Sequence, residues 1–183
     1  MYHRFGENKY PSTNIREEQL VSHLEYLKDQ GFNFILARDL LFEDKLQEKT
    51  ISITVDDAYL SFFEVGLPIF EKYEIPVTLF LNTENVGGQN YMNWTQLKSV
   101  LNRGVDIQNH THSHSSLSSL SEIEIVNEIE KSQDLIFENL GITPNLFAYP
   151  FGENSTIAQK VVSQYFDAAF GPVSYTHLTL PTT

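Results

Sequence analysis

At 183 residues the chain is one domain by length, and 41% apolar with 20% charged residues is ordinary for a globular protein with a sizeable core. Twelve basic against 24 acidic side chains, a net charge of −12, argue against nucleic-acid and anionic-membrane partners, which need a basic face. Cysteine is absent, which excludes disulfides and thiolate ligands; no apolar run approaches the ~18 residues of a membrane span, and the polar, aromatic opening does not read as a signal peptide.

Residues 1–11 read as loop. Asn14 followed by Glu17 has the spacing of a capping box, Leu20, Leu24 and Leu27 recur at helical spacing, and Gly31 stands where a helix C-terminal glycine belongs. A strand is expected over 32–37 and a short helix over 39–46. The β-forming run from Ile51 to Val55 then reads as a buried parallel strand that ends on Asp56 and Asp57. Residues 59–73 look helical, with Pro68 kinking or splitting the helix. A strand over 77–81 follows, and Asn93 with Gln96 forms a second capping-box pattern, opening a helix that ends near Gly104.

The next strand, 105–109, empties into His110-Thr111-His112-Ser113-His114. Ser121 caps a long helix over 122–139, with Ile125, Ile129, Ile136 and Leu140 as its buried stripe and Gly141 closing it. A strand over 146–149, a helix over 155–164 and a strand starting at 168–170 complete the pattern. Strands and helices alternate throughout, the signature of βα units on a parallel sheet. Residues 172–183 show neither capping logic nor sustained periodicity and read as a non-native tail.

In α/β folds the chemistry sits at the carboxyl ends of the strands, where Asp56 and Asp57 fall. Alone, two aspartates after a strand equally make a turn or a helix cap. Three histidines in five residues equally make a solvated loop. Taken jointly they are more informative. His110 and His114 are spaced i, i+4, which on a helical turn puts both imidazoles on one face. With Asp57 they make an Asp-His-His set, and three protein ligands with one open position is what a catalytic zinc needs. Asp56 is then free to act as base. The aromatic strand turning at Pro150-Phe151-Gly152 is either a rigid turn or a means of aiming the Phe151 N–H at a developing oxyanion. Tyr59, Tyr91 and Trp94 could stack on sugar rings or simply pack, His112 would point away from its neighbours, and His3 and His23 have no evident partner.

These elements together resemble the NodB-type polysaccharide deacetylases, carbohydrate esterase family four. The family's Asp-Asp motif falls on Asp56 and Asp57, its His-Ser/Thr-x-x-His motif on His110-Thr111 through His114, and its Arg-x-Pro-Tyr/Phe-Gly motif on residues 148–152. The opening, Met1 to Glu7, is similar to the start of the branch acting on exopolysaccharide N-acetylglucosamine. The resemblance covers residues 1–171. It departs at Ala148, where many members carry an arginine that orients the base, and in the later motifs. The histidine general acid and its supporting aspartate have no match, and His177 lies in the tail.

The resemblance implies an α/β fold, a distorted (β/α) barrel incomplete at both ends. It implies a metal-dependent hydrolase that removes N-acetyl groups from amino-sugar polymers, at the cell envelope or outside the cell. Asp57, His110 and His114 would hold a divalent ion, zinc being expected; Asp56 would serve as base, and Phe151 would contribute its N–H. The alternative from another class is a glycan- or metal-binding module that kept the scaffold without turnover. An amidase acting on a small amide is a third. Which polymer, and which oligomeric state, stay open.

Overall fold

The structure, a computed structural model, describes residues 1–41 and 47–171. Two short parallel strands, β1 (Arg4–Phe5) and β2 (Asn14–Ile15), precede helix α1 (Glu17–Asp29). Six further strands form one curled parallel sheet in strict sequence order: β3 (Asn33–Ile35), β4 (Thr50–Asp56), β5 (Val77–Leu81), β6 (Asp106–Asn109), β7 (Leu146–Ala148) and β8 (Ala168–Phe170). Crossovers after β4, β5, β6 and β7 carry α2 (Leu67–Lys72), α3 (Trp94–Asn102), α4 (Glu122–Leu140) and α5 (Thr156–Tyr165). Each βα unit therefore adds its strand beside the previous one, as in a (β/α) barrel and unlike a doubly wound sheet, whose order reverses. This is the expected fold class.

Local sequence explains the helix ends. Asn93 Oδ1 accepts the Gln96 N–H at 2.9 Å and Gln96 Oε1 accepts the Asn93 N–H at 2.8 Å, so the pair caps α3 reciprocally. Ser121 and Glu124 do the same for α4, and Gly141 closes it at φ 71°. Pro68 sits in the first turn of α2, directly after a π-helical turn over Phe62–Gly66, so the expected helix changes its hydrogen-bond pattern there while its backbone stays helical through Gly66 and Leu67.

Two expectations near the N-terminus are corrected. Helix α1 starts two residues later: Arg16 is its N-cap and donates its N–H to Gln19 Oε1 at 3.4 Å. The Asn14 side chain instead clasps Glu7, accepting its N–H at 3.0 Å and donating to its carbonyl at 2.7 Å. The first eleven residues are also more than loop, since they contain β1. The expected short helix is a 3-10 turn at Ala37–Leu41, and its remainder, with the tail from 172 onward, lies outside the described residues.

The main core lies between the sheet and its helices. All of β5 is buried, as a strand covered on both faces must be. Phe5, Phe62 and Phe70 meet in this core, with Phe5 edge-on to Phe70 at 5.9 Å. Gly66 is required here, because a Cβ on it would lie 2.9 Å from the buried Phe5 ring. On the concave side, Phe80 packs against Phe170 at 5.6 Å beside Ala37, Leu146 and Ala148. Beneath them Arg38 pairs with the buried Asp106. Burial raises the Asp106 pKa, while Arg38 and the Gln108 amide pull the other way. Gln108 Oε1 also accepts the Asn145 and Leu146 N–H groups at 3.0 and 2.8 Å, reinforcing a β6–β7 pairing that otherwise rests on Asn109 opposite Phe147.

Gly66→Ala is expected to destabilise the fold by about 1–3 kcal/mol through overpacking against Phe5. A urea titration with an unchanged midpoint would show that the Phe5 ring can give way.

Candidate active site

Strands β4, β6 and β7 end at the same edge of the sheet, with β5 between the first two, and the residues that leave them converge. After Asp56 the chain turns through two left-handed residues, Asp57 at φ 73° and Ala58 at φ 59°. Such conformations cost about 1–3 kcal/mol each and persist only where the surroundings impose them. Here the Asp57 N–H donates to the Phe80 carbonyl at 3.0 Å, and Asn82 Nδ2 donates to Asp57 Oδ1 at 2.9 Å. Asn82 is itself held by the Asn85 amide at 2.9 Å.

The histidines leave β6. The His110 N–H extends the ladder to the Leu81 carbonyl at 3.0 Å, and its ring is buried. Its Nδ1 lies 2.8 Å from the Ala148 carbonyl, which can only accept, so the proton sits on Nδ1 and the Nε2 lone pair faces the cluster. Burial also pushes the His110 pKa well below its ordinary value, which keeps the ring neutral. The segment carrying His114 is a loop, not the helical turn expected from the spacing. Thr111 at φ 69° and His114 at φ 59° bend it back, with Asn109 Oδ1 accepting the Thr111 N–H and Thr111 Oγ1 accepting the His114 N–H.

The bend achieves what the spacing implied. Asp57 Oδ1 lies 3.2 Å from His114 Nε2 and 3.7 Å from His110 Nε2, and one ligand atom from each residue falls within 4.8 Å of the others. Those two separations bracket the ~3.4 Å edge of a tetrahedron built with metal–ligand bonds of about 2.1 Å. Two imidazoles and a carboxylate thus form a donor set of the right kind and size for a divalent ion.

Asp56 sits beside this cluster but in different surroundings. It is buried, and its Oδ1 finds no hydrogen-bond partner among the described residues. Burial, and then the negative charge of Asp57, raise its pKa to about 7. Ala148 puts no charged side chain near it. The cavity above, about 320 Å³, is shared by Asp56, Asp57, His110 and His114 with His3, Tyr59 and the Phe151 turn. Phe151 stands at φ 57° with its ring 64% exposed and edge-on to His114 at 4.7 Å. Its N–H donates to no acceptor among the described hydrogen bonds.

The structure also places the remaining histidines and aromatics. His3 lines this cavity, carried there because Tyr2 bridges to Val55 on β4. No local pattern marks His3; only the long-range pairing does. His23 also has a partner, the Tyr2 hydroxyl, at 3.1 Å. His112 turns away and pairs with Thr83 Oγ1 at 2.8 Å. Trp94 packs on the main core, whereas Tyr59 walls the cavity, stacked on Tyr91 at 4.7 Å with the Arg4 guanidinium 3.4 Å from its ring centre.

The polysaccharide deacetylase family profile matches residues 43–166, more than half of the chain. The chain belongs to this family. Among its curated relatives, a poly-β-1,6-N-acetyl-D-glucosamine N-deacetylase of Staphylococcus aureus is 27% identical over 156 residues, covering 76% of this chain and 54% of that protein. The chain spans about half the length of the curated relatives it matches. Two solved deacetylase structures share the fold. IcaB from Ammonifex degensii gives a TM-score of 0.84 at 22% identity, over 93% of this chain and 81% of that one. The Streptococcus pyogenes deacetylase PplD, in complex with acetate, gives 0.80 at 23% identity, over 90% and 78%. No helix of the described residues is long and apolar enough to cross a membrane.

The raised pKa of Asp56 makes it a destabilising group in the metal-free deacetylase domain. The folded state takes up its proton near pH 7 and the unfolded chain near pH 3.8, so the folded state binds more protons in between and stability falls as pH rises through that window. Asp56→Asn should therefore stabilise the chelator-treated protein at pH 8, on the order of 2 kcal/mol, and lose that advantage below pH 4. Denaturation curves at both pH values that show no such difference would count against a buried, unpaired carboxylate.

Proposed function

We propose that the chain is the catalytic part of a metal-dependent hydrolase that removes N-acetyl groups from an amino-sugar polymer, with poly-β-1,6-linked N-acetylglucosamine as its substrate class and the cell envelope or its exterior as its place of action. Convergence of Asp57, His110 and His114 in one cavity with the unpartnered oxygen of Asp56 carries the proposal. The polymer is taken from the name of the Staphylococcus aureus relative.

In this reading Asp57, His110 and His114 hold the divalent ion. Zinc is the ion we assign, because two imidazoles and one carboxylate with an open position suit it. When bound, it supplies Lewis acidity, making water more nucleophilic and a carbonyl more electrophilic. Asp56 takes the proton from water as the acetamide carbon is attacked. The Phe151 N–H, held forward by its left-handed backbone, donates to the carbonyl oxygen as negative charge gathers there. The C–N bond then breaks, and the amine leaves with a proton. His3, the other imidazole on the cavity wall, is our candidate to deliver it. Phe151 offers an aromatic face at the rim, suited to the apolar face of a sugar ring. The net charge of −12 suits a product that gains cationic amines.

Acetate release from N-acetylglucosamine oligomers tests the division of labour. Asp56→Asn should lower kcat roughly 10²–10⁴-fold with bound zinc unchanged, whereas Asp57→Asn should lose zinc and recover some activity when zinc is in excess. Near-normal turnover by Asp56→Asn would refute its role as base. Retention of oligomers on a column without any acetate release would instead identify a binding module. His3→Ala should slow amide hydrolysis more than hydrolysis of an aryl acetate, whose leaving group needs no proton. Equal slowing of both substrates would remove His3 from proton delivery.

A further inference from the structure

We propose that Glu128, on helix α4, is a positioning residue for the divalent ion, acting through the backbone of the 110–114 loop; the inference rests on the metal-site reading above. The two histidine ligands are secured very differently. His110 is buried, its backbone continues the sheet ladder, and its ring is fixed by the Ala148 carbonyl. His114 has none of this. Its side chain is 23% exposed, and its ring meets only Asp57 within hydrogen-bonding range among the described residues. Where its Nε2 lies is therefore inherited from the loop backbone.

That backbone holds two left-handed non-glycine residues, Thr111 and His114, which survive only if neighbours enforce them. Between them, Glu128 supplies the enforcement. Its Oε2 accepts the His112 N–H at 3.1 Å and the Ser113 N–H at 2.7 Å, and its Oε1 accepts the Ser113 hydroxyl at 2.8 Å. Hydrogen bonds to a carboxylate are roughly twice as strong as neutral ones, and here one side chain takes three from two consecutive residues. From the opposite side, the Glu84 N–H donates to the His112 carbonyl at 2.9 Å, and Thr83 Oγ1 meets the His112 ring. The loop is clamped between α4 and the end of β5. Its anchor is rigid, because Ile125 and Ile129 on α4 are both buried in a core cluster. Glu128 touches neither the cavity nor a ligand side chain. Its effect on His114 passes through the peptide groups of residues 112 and 113 and the Ser113 hydroxyl.

The test uses the purified 183-residue chain stripped of metal, comparing wild type, Glu128→Ala and Glu128→Gln. Zinc affinity is read by competition with a chromophoric chelator. Melting temperature of the stripped protein and hydrogen exchange at the His112 and Ser113 amides are read alongside. Loss of a group that orients a ligand typically weakens metal binding 10–100-fold, and we expect that range for Glu128→Ala, with faster exchange at those two amides. Glu128→Gln keeps an oxygen for the paired N–H groups and should lose less than about tenfold. The stripped variants should melt close to wild type, since the core is untouched. Equal zinc affinity in Glu128→Ala and wild type would overturn the proposal. So would an affinity loss in both variants that merely follows a large fall in melting temperature, which would mark Glu128 as part of the fold alone. Failure of wild type itself to bind zinc would overturn the metal site first and this inference with it, an outcome visible before any variant is compared.

Discussion

A slip of one residue anywhere in the ladder from β4 to β6 would dismantle the site. Asp56 is opposite Phe80, Phe80 is opposite Gln108, and Leu81 is opposite Asn109, so three strands terminate at one level. Because side chains alternate between faces, a slip would turn Phe80 and Gln108 out of the concave side and replace them with Leu79, Leu81 and Ile107. The register is thus protected by hydrophobic burial on the helix face and by the Arg38, Asp106 and Gln108 network on the other. A site made of strand ends inherits that protection. Neither carboxylate nor imidazole has to find its partner independently of the core.

Within that frame, two adjacent aspartates acquire opposite characters. Asp57 turns into a left-handed conformation, where Asn82 and the two imidazoles surround one of its oxygens. Asp56 remains in the strand and keeps an oxygen bare in a buried cavity. Nothing in their chemistry differs; the backbone angle between them does. The fold surrounds one carboxylate with partners and leaves its neighbour costly to ionise, which is the pairing expected where one carboxylate binds and the other exchanges protons. A buried, unpartnered carboxylate of this kind lowers the stability of the domain.

Much of this was legible in the sequence, and the parts that were not share a cause. Strand β5, the Asn93 and Ser121 caps, and the glycine after α4 follow from local rules, so they fall where the residues indicate. The candidate ligands were legible because two short motifs each end a strand. Asn14 misled, since its side chain is taken by a clasp on Glu7, seven residues back, rather than by the helix. The 110–114 spacing was correct for convergence but wrong for conformation. A strained loop braced by Glu84 and Glu128 replaces the helical turn, and no local signal reveals a brace 15 residues away. His3 was invisible for the same reason. Its position depends on Tyr2 pairing with Val55, a contact between segments over fifty residues apart.

That last contact divides the cavity wall into two mechanical regimes. Asp56, Asp57, His110 and the Phe151 turn sit on or directly after strands of a continuous sheet, so their relative positions are as fixed as the sheet itself. His3 and Thr13 belong to a segment tied down differently. Tyr2 exchanges two backbone bonds of 2.9 Å with β4, Arg4 and Gly6 bond across to β2, and the Arg4 guanidinium is layered between Tyr59 and Tyr10. Those ties are fewer and partly exposed, and cation–π contacts at such sites contribute only about 0.5–1 kcal/mol each. Groups that must hold a fixed geometry through the reaction gain from the rigid wall. Under the proposed function, a group that meets a departing amine and a rim that accepts a bulky polymer would lose less from resting on the more weakly tied one. The placement of the candidate ligands and base on the sheet, and of His3 on the N-terminal segment, follows that physical distinction.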